Sequence, residues 1–211
     1  MNFEELTSYR KCGYEGVEEL LWVTTDIGGF GEMSRGHGPI WDWVKDHEHF
    51  MSQVKSFNTV VQAGGNCGMY PRFYSNYFKN VYTFEPNPLN FYCLDINCQG
   101  DNFHKFEGGL GNTTDKLTVT NYNTINVGAH TIRNIPGDVQ MYRIDDLNLT
   151  SCDLIHLDVE GYEPQALKGS IETIEKFNPV VIVENGRGGD ILKDLGYTMH
   201  IKTKMDRVYI K

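Results

Sequence analysis

Five short apolar runs, each ending in a break, set what this chain can fold into. They are Thr59–Ala63, Val81–Glu85, His104–Glu107, Asp153–Asp158 and Val180–Glu184. Several carry apolar residues almost without interruption, as strands buried on both faces of a parallel sheet do. Residues 69–79, 88–98, 163–176 and 188–195, which follow these runs or lie between them, read as helices. Strands alternating with helices argue for βαβ units and an open α/β sheet. The sequence therefore predicts an open α/β fold, a mostly parallel sheet with helices on both faces.

The remaining segments fit around that sheet. Residues 1–56 read as a helical lead-in or cap, interrupted by the glycine-rich stretch DIGGFGEMSRGHGP. Trp41, Val44, Met51 and Val54 recur at near-helical spacing, which predicts a helix over 41–55. KLTVTNY and DVQMYRI, within 111–150, predict two extra strands. The tail YTMHIKTKMDRVYIK predicts a C-terminal antiparallel hairpin turning near Lys204–Asp206. With 211 residues, the expectation is one domain over 1–211, its core spanning 57–211.

Charge and cysteine usage narrow the partners. The net charge is −9 and no cluster of Lys and Arg occurs, so the basic face that displaces counterions from phosphates is missing and no nucleic-acid partner is expected. No run of 18 apolar residues is present, so no membrane role is expected. The opening MNFEELTSYRK lacks an apolar stretch, and the five cysteines are odd in number with no CxxC pair. Both point to reduced thiols and a cytoplasmic location.

In an open α/β sheet, ligands bind outside the carboxyl ends of the strands. Those ends bring Gln62 with Gly64, Gly65 and Gly68, then Glu85-Pro86-Asn87, Gly108-Gly109-Leu110, Asp158 with Glu160 and Gly161, and Glu184-Asn185. The glycine order is Gly64-x-Asn66-x-Gly68, not the G-x-G-x-x-G of dinucleotide sites. Glu85, 21 residues after Gly64, stands where an acid can accept both hydroxyls of an adenosine ribose. His156 and Asp158 share one face of the fourth strand, where a satisfied buried pair competes with a catalytic dyad. Glu163 opens a helix, where a carboxylate also has a purely electrostatic reason to sit. His47 and His49, two apart on a helix, point away from each other and read as surface residues. Trp41 and Trp43 read as packing.

The stretches VVQAGGNCG, VYTFEPNPLNF, CDLIHLDVEGYEPQALKGS and NPVVIVEN resemble the FkbM family of methyltransferases. The resemblance covers roughly residues 57–186. It implies the Rossmann-like, S-adenosylmethionine-dependent class and assigns roles by position. Gln62, Gly64, Gly65, Asn66 and Gly68 would form the loop beside the methionine part of the cofactor. Glu85 would hold the ribose, Pro86 and Asn87 would shape that turn, and Gly109 and Leu110 would lie on the adenine side. Asp158, Glu160 and Glu163 match the acidic signature on the acceptor side. Two positions depart from the family pattern: Gln62 replaces the usual Asp, and His156 the usual Lys.

The expected reaction is methyl transfer from S-adenosyl-L-methionine to a hydroxyl of a sugar or other small metabolite. Orientation would supply much of the acceleration, with Asp158 or His156 as base and Glu160 beside them. Two rivals are a nicotinamide-dependent oxidoreductase, opposed by the glycine spacing, and a silent cofactor-binding module, favoured only by Gln62. No metal is assigned. Asp158, Glu184 and Asn185 could seat Mg²⁺ or Ca²⁺, or Glu184 and Asn185 could simply satisfy a turn. The acceptor and the oligomeric state are not written in any motif.

Overall fold

The structure is a computed structural model that describes residues 2–14, 17–26, 44, 47–120 and 125–211. The central sheet has seven strands: β3 (Thr59–Ala63), β4 (Asn80–Glu85), β5 (Phe103–Glu107), β10 (Leu154–Leu157), β11 (Val180–Glu184), β12 (Thr198–Lys202) and β13 (Asp206–Ile210). Their spatial order is β12-β13-β11-β10-β3-β4-β5. The pairs from β11 through β10, β3 and β4 to β5 are all parallel. Strand β13 is inserted antiparallel between β11 and β12. The predicted terminal hairpin therefore completes the main sheet.

Strands β3 and β11 are buried at every position, which explains their uninterrupted apolar sequences. Two cores result. On one face, Val60, Leu154, Ile182 and Val208 pack against Tyr70, Phe73 and Tyr74 of α1 (Met69–Tyr74) and Leu94 of α2 (Pro88–Asn97). On the other, Val61, Ile155, Leu157 and Val183 pack against Leu167 of α3 (Glu163–Lys168), Ile174 of α4 (Ile171–Phe177) and Leu192 of α5 (Gly189–Asp194). Helix α2 starts where the sequence says it should. Asn87 Oδ1 accepts from the N–H groups of Leu89 and Asn90, and Pro88 occupies the first turn, where its missing N–H costs nothing.

The lead-in differs from expectation. Instead of a helical segment, it opens with an antiparallel hairpin, β1 (Thr7–Tyr14) with β2 (Val17–Val23), after a short 3₁₀ turn at Phe3–Leu6. Leu20, Leu21, Trp22 and Val23 are buried. The end of β2 is fixed to α2 by paired hydrogen bonds between the Leu21 backbone and the Asn97 amide, each 2.8 Å. Tertiary packing of this apolar run thus overrides its local pattern. Helical backbone does occur at residues 44 and 47–51, inside the expected 41–55 helix, with Val44, Met51 and Val54 buried. The glycine-rich stretch from Ile27 onward, Trp41 and Trp43 lie outside the described residues.

The segment 111–150 carries the two expected strands, β7 (Lys116–Thr120) and β9 (Val139–Tyr142), and one that was not foreseen, β8 (Thr131–Pro136). With β6 (Gly109–Leu110) they form a second sheet of order β6-β9-β7-β8. The single helix expected over 163–176 is two helices. They part at Gly169, where any Cβ would come within 1.9 Å of the Gly111 carbonyl oxygen. Likewise α1 ends at Tyr74 and does not run on to residue 79.

Candidate active site

A cleft enclosing about 400 Å³ of open space lies at the carboxyl edge of the sheet. Ala63 and Gly64 after β3, Phe84, Glu85 and Pro86 at β4, Gly109 and Leu110 of β6, and Asp158, Val159 and Glu160 after β10 line it. The topology converges these residues from sequence positions almost a hundred apart.

The loop after β3 is built for close backbone approach. Gly64 has φ +83°, and a Cβ there would lie 1.8 Å from the Asp158 carbonyl oxygen. The N–H groups of Gly64 and Gly65 both donate to the Phe84 carbonyl, at 3.1 and 2.9 Å. Asn66 takes the left-handed region, φ 46°, as Asn does more readily than most residues, and its N–H donates to Glu85 Oε2 at 2.7 Å. The Asn87 N–H donates to Glu85 Oε1 at 2.9 Å. Glu85 is buried, and burial pushes its carboxyl up to about 7 against the pull of those two N–H groups and of the Asn90 side chain. A carboxylate offers about four lone-pair sites, so acceptor capacity remains toward the cleft.

The other expected cofactor residues support the loop and do not line the cleft. A Cβ on Gly65 would sit 2.4 Å from Leu94 Cδ1 and 2.7 Å from Thr83 Oγ1, so those side chains would have to shift to admit one. Gly68, with φ 99°, caps α1 and leads into it. Asn87 caps α2. Gln62 is buried beneath the loop. Its Nε2 donates to the carbonyls of Ala63 and Gly64 at 3.1 and 3.0 Å, and its Oε1 accepts from Thr83 at 2.8 Å.

Around the end of β10, acidic groups crowd together. Burial, followed by Glu184, Asp206, Glu160 and Glu163, holds the Asp158 carboxyl well above the ordinary range. Glu160, at φ 51°, is raised by burial as well. Glu163 Oε1 accepts from the N–H groups of Val159 and Gly161, at 3.2 and 3.1 Å, so it closes the turn into α3. Glu184 accepts from Asn185 Nδ2 at 2.9 Å and pairs with Arg187 at 3.3 Å. Both contacts run between side chains, so neither is the satisfaction of backbone groups at a turn expected of Glu184 and Asn185. Burial, with Glu160 and Glu163 adding to it, raises Glu184 to about 7.

His156 lies one turn of the pleat below Asp158. It is buried, does not line the cleft, and its Nδ1 meets Tyr74 Oη at 3.1 Å. His47, read from the sequence as a surface residue, is fully buried in the same place, while His49 is exposed. The i, i+2 spacing does separate the two, and it is the inward side that His47 takes. Sequence reasoning also missed Gly128, His130 and Ile132, which close the cleft from the second sheet. Asn90 Nδ2 donates to the Val127 carbonyl at 2.7 Å and holds that wall in place. An Asn at the third position of a helix carries no sequence signal for such a contact.

No helix of the described residues is long and apolar enough to cross a membrane. No curated protein matches the sequence significantly. Among solved structures, a methyltransferase FkbM from Methylobacillus flagellatus KT superposes with a TM-score of 0.50 at 17% identity, over 74% of this chain and 44% of that one. A precorrin 8w decarboxylase from Methanobacterium thermoautotrophicum gives 0.52 at 16% identity, over 82% and 92%. Trm5b from Pyrococcus abyssi gives 0.50 at 10%, over 97% and 55%. At these identities the likeness is one of fold: the Rossmann-like α/β sheet. This chain spans less than half of the FkbM structure's length. The sequence model of the methyltransferase FkbM domain matches residues 64–198, well over half of the chain, and the chain therefore belongs to the FkbM methyltransferase family.

Proposed function

We propose that this chain binds S-adenosyl-L-methionine in the cleft and directs its methyl group to a hydroxyl of a sugar or related small metabolite. The observation that carries the reading is Glu85. It is a buried carboxylate at the end of β4, beside a left-handed glycine loop and on the wall of the cleft. Two of its lone-pair sites are spent on the loops that frame the cleft, and the remaining ones suit the paired hydroxyls of a ribose. The bound cofactor supplies an electrophilic methyl on a sulfonium.

The residues of this chain do the rest. Gly64 lets the loop backbone reach the cleft without a side chain in the way. Gly109, Leu110 and Phe84 give the flat apolar wall that a purine ring needs. Asp158 lies across from the loop on the acceptor side and takes the proton of the attacking hydroxyl, with Glu160 next to it. The Gln62 amide braces the loop from below and needs no contact with the cofactor. We read the whole of 1–211 as one domain in a cytoplasmic enzyme acting on a small molecule.

Titration calorimetry tests the reading. Wild-type protein should bind S-adenosylmethionine, and Glu85→Ala should lose about 1.5–3 kcal/mol of affinity. A folded Glu85→Ala protein with unchanged affinity removes Glu85 from the ribose site. Release of S-adenosylhomocysteine across a panel of sugars then reads out turnover and acceptor together.

A further inference from the structure

Below the cleft, on the sheet face covered by α1, a second group of ligating side chains meets. His156 comes from the middle of β10, Asp206 from the start of β13, and His47 from the helical turn 47–51. All three are buried, and one ligating atom from each lies within 4.8 Å of the other two. We propose that His47, His156 and Asp206 bind a zinc-type divalent cation that clamps the segment before β3 onto the central sheet. The proposal does not depend on how the cleft is used.

The arrangement around the imidazoles is that of a ligand set with its supporting shell in place. His47 Nδ1 lies 2.7 Å and His156 Nδ1 3.1 Å from the same Tyr74 hydroxyl oxygen. Metal-bound histidines hold their second ring nitrogen in this way, and the contact fixes both ring orientation and tautomer. With Nδ1 spent, Nε2 is what each ring has left. Among the described residues neither Nε2 makes a hydrogen bond, although both are buried. A buried polar atom without a hydrogen bond is costly, and here His156 Nε2 has none while His47 Nε2 has only a long contact to a carboxylate. The ring centroids are 4.6 Å apart. His47 Nε2 stands 3.5 Å from Asp206 Oδ2. Two donors at about 2.0–2.1 Å on a tetrahedral ion stand roughly 3.3 Å apart, which the His47–Asp206 pair nearly meets, and the remaining pairs, within 4.8 Å, would close by roughly 1.5 Å at most.

The chemistry selects the ion class. Two neutral imidazoles and one carboxylate suit zinc and its first-row neighbours better than Mg²⁺ or Ca²⁺, which take oxygen ligands. The ion's charge would also offset the carboxylates that crowd this end of the sheet. Three ligands from positions 47, 156 and 206 make the ion a cross-link between distant parts of the chain. An ion bound only by the folded state stabilises it by mass action.

The test uses the full chain, freed of metal by chelation and dialysis, with Zn²⁺ and Co²⁺ as probes. One Zn²⁺ per chain should remain after gel filtration. Zn²⁺ at a hundredfold excess over its Kd should raise the melting temperature by roughly 5–10 °C. Co²⁺ should give the visible spectrum of a four-coordinate nitrogen and oxygen site without a thiolate charge-transfer band, which separates it from binding at the buried cysteines. His47→Gln and Asp206→Asn should each abolish the stoichiometric ion and the spectrum. A folded wild-type protein that binds neither ion overturns the proposal, and so does stoichiometric binding that survives in a folded His47→Gln/Asp206→Asn double variant. Should the variants fail to fold, the wild-type cobalt spectrum decides alone: a six-coordinate or thiolate spectrum overturns the site.

Discussion

Gln62 lies beneath the loop after β3 and does not line the cleft. The family's usual residue here is acidic, so the sequence raises the question of lost cofactor contact. In the fold the amide is a brace. It donates twice, to the carbonyls of Ala63 and Gly64, and accepts once from Thr83. Only an amide supplies two donors and an acceptor at this length. Gln62→Glu should therefore destabilise the protein by about 2 kcal/mol, because at least one buried carbonyl loses its donor. Urea denaturation checks this, and an unchanged midpoint would show that the two donor contacts contribute nothing net. Glu85 is the complementary case. Its position at the end of β4 was legible from spacing alone, since the carboxyl ends of parallel strands are where ligands collect. Gln62's role was not legible, because it depends on where Thr83 of the neighbouring strand falls in register.

At the scale of elements, the loop from Ala63 to Gly68 joins β3 to α1 and also meets the end of β10. Gly64 is the point of contact. An alanine there would carry both a left-handed φ and a Cβ 1.8 Å from the Asp158 carbonyl oxygen. Left-handed backbone costs a non-glycine residue roughly 1–2 kcal/mol, and the overlap forces β3 and β10 apart as well. Gly64→Ala should lose about 3 kcal/mol or more of stability, whereas Gly100→Ala, which carries positive-φ strain as well (φ +133°) but meets only an Asn102 side-chain oxygen at 3.0 Å, should cost less, the difference reporting the backbone overlap. Equal losses in the two variants would refute the contact. Of the five parallel-sheet strands, β3, β10 and β11 were readable because they are buried at every position and so nearly continuously apolar, while the half-exposed edge strand β5 was placed by its spacing in the βαβ series. The hairpin Thr7–Val23 was not, because its pattern is set by packing on α2 and by long-range bonds such as Leu21 to Asn97. Strand β8 was hidden for a related reason. Most of its residues are exposed, so it shows neither an apolar run nor clean alternation.

Over the whole molecule, negative charge and burial act in the same direction as pH changes. The chain carries −9 in total, and self-repulsion among acidic groups grows as the remaining carboxyls ionise. Glu85 adds a specific contribution. Its carboxyl is raised from 4.5 to about 7 in the fold, chiefly by burial. The folded state thus holds this proton more tightly than the unfolded chain. Below about pH 4.5 both states are protonated and the stabilising effect is complete. It is lost as pH rises toward 7, where the fold must bury a charge. A shift of that size on a fully buried group amounts to roughly 3 kcal/mol at its largest. Wild-type protein should therefore be more stable to urea at pH 5.5 than at pH 8. Glu85→Gln removes the titrating group while keeping its size, so the difference between the two pH values should shrink by a few kcal/mol, whatever the variant does to stability at either pH alone. The general repulsion is common to both proteins and cancels in that comparison. An identical pH dependence in wild type and Glu85→Gln would mean that Glu85 is already ionised in the fold, held by the Asn66 and Asn87 N–H groups more strongly than burial opposes it.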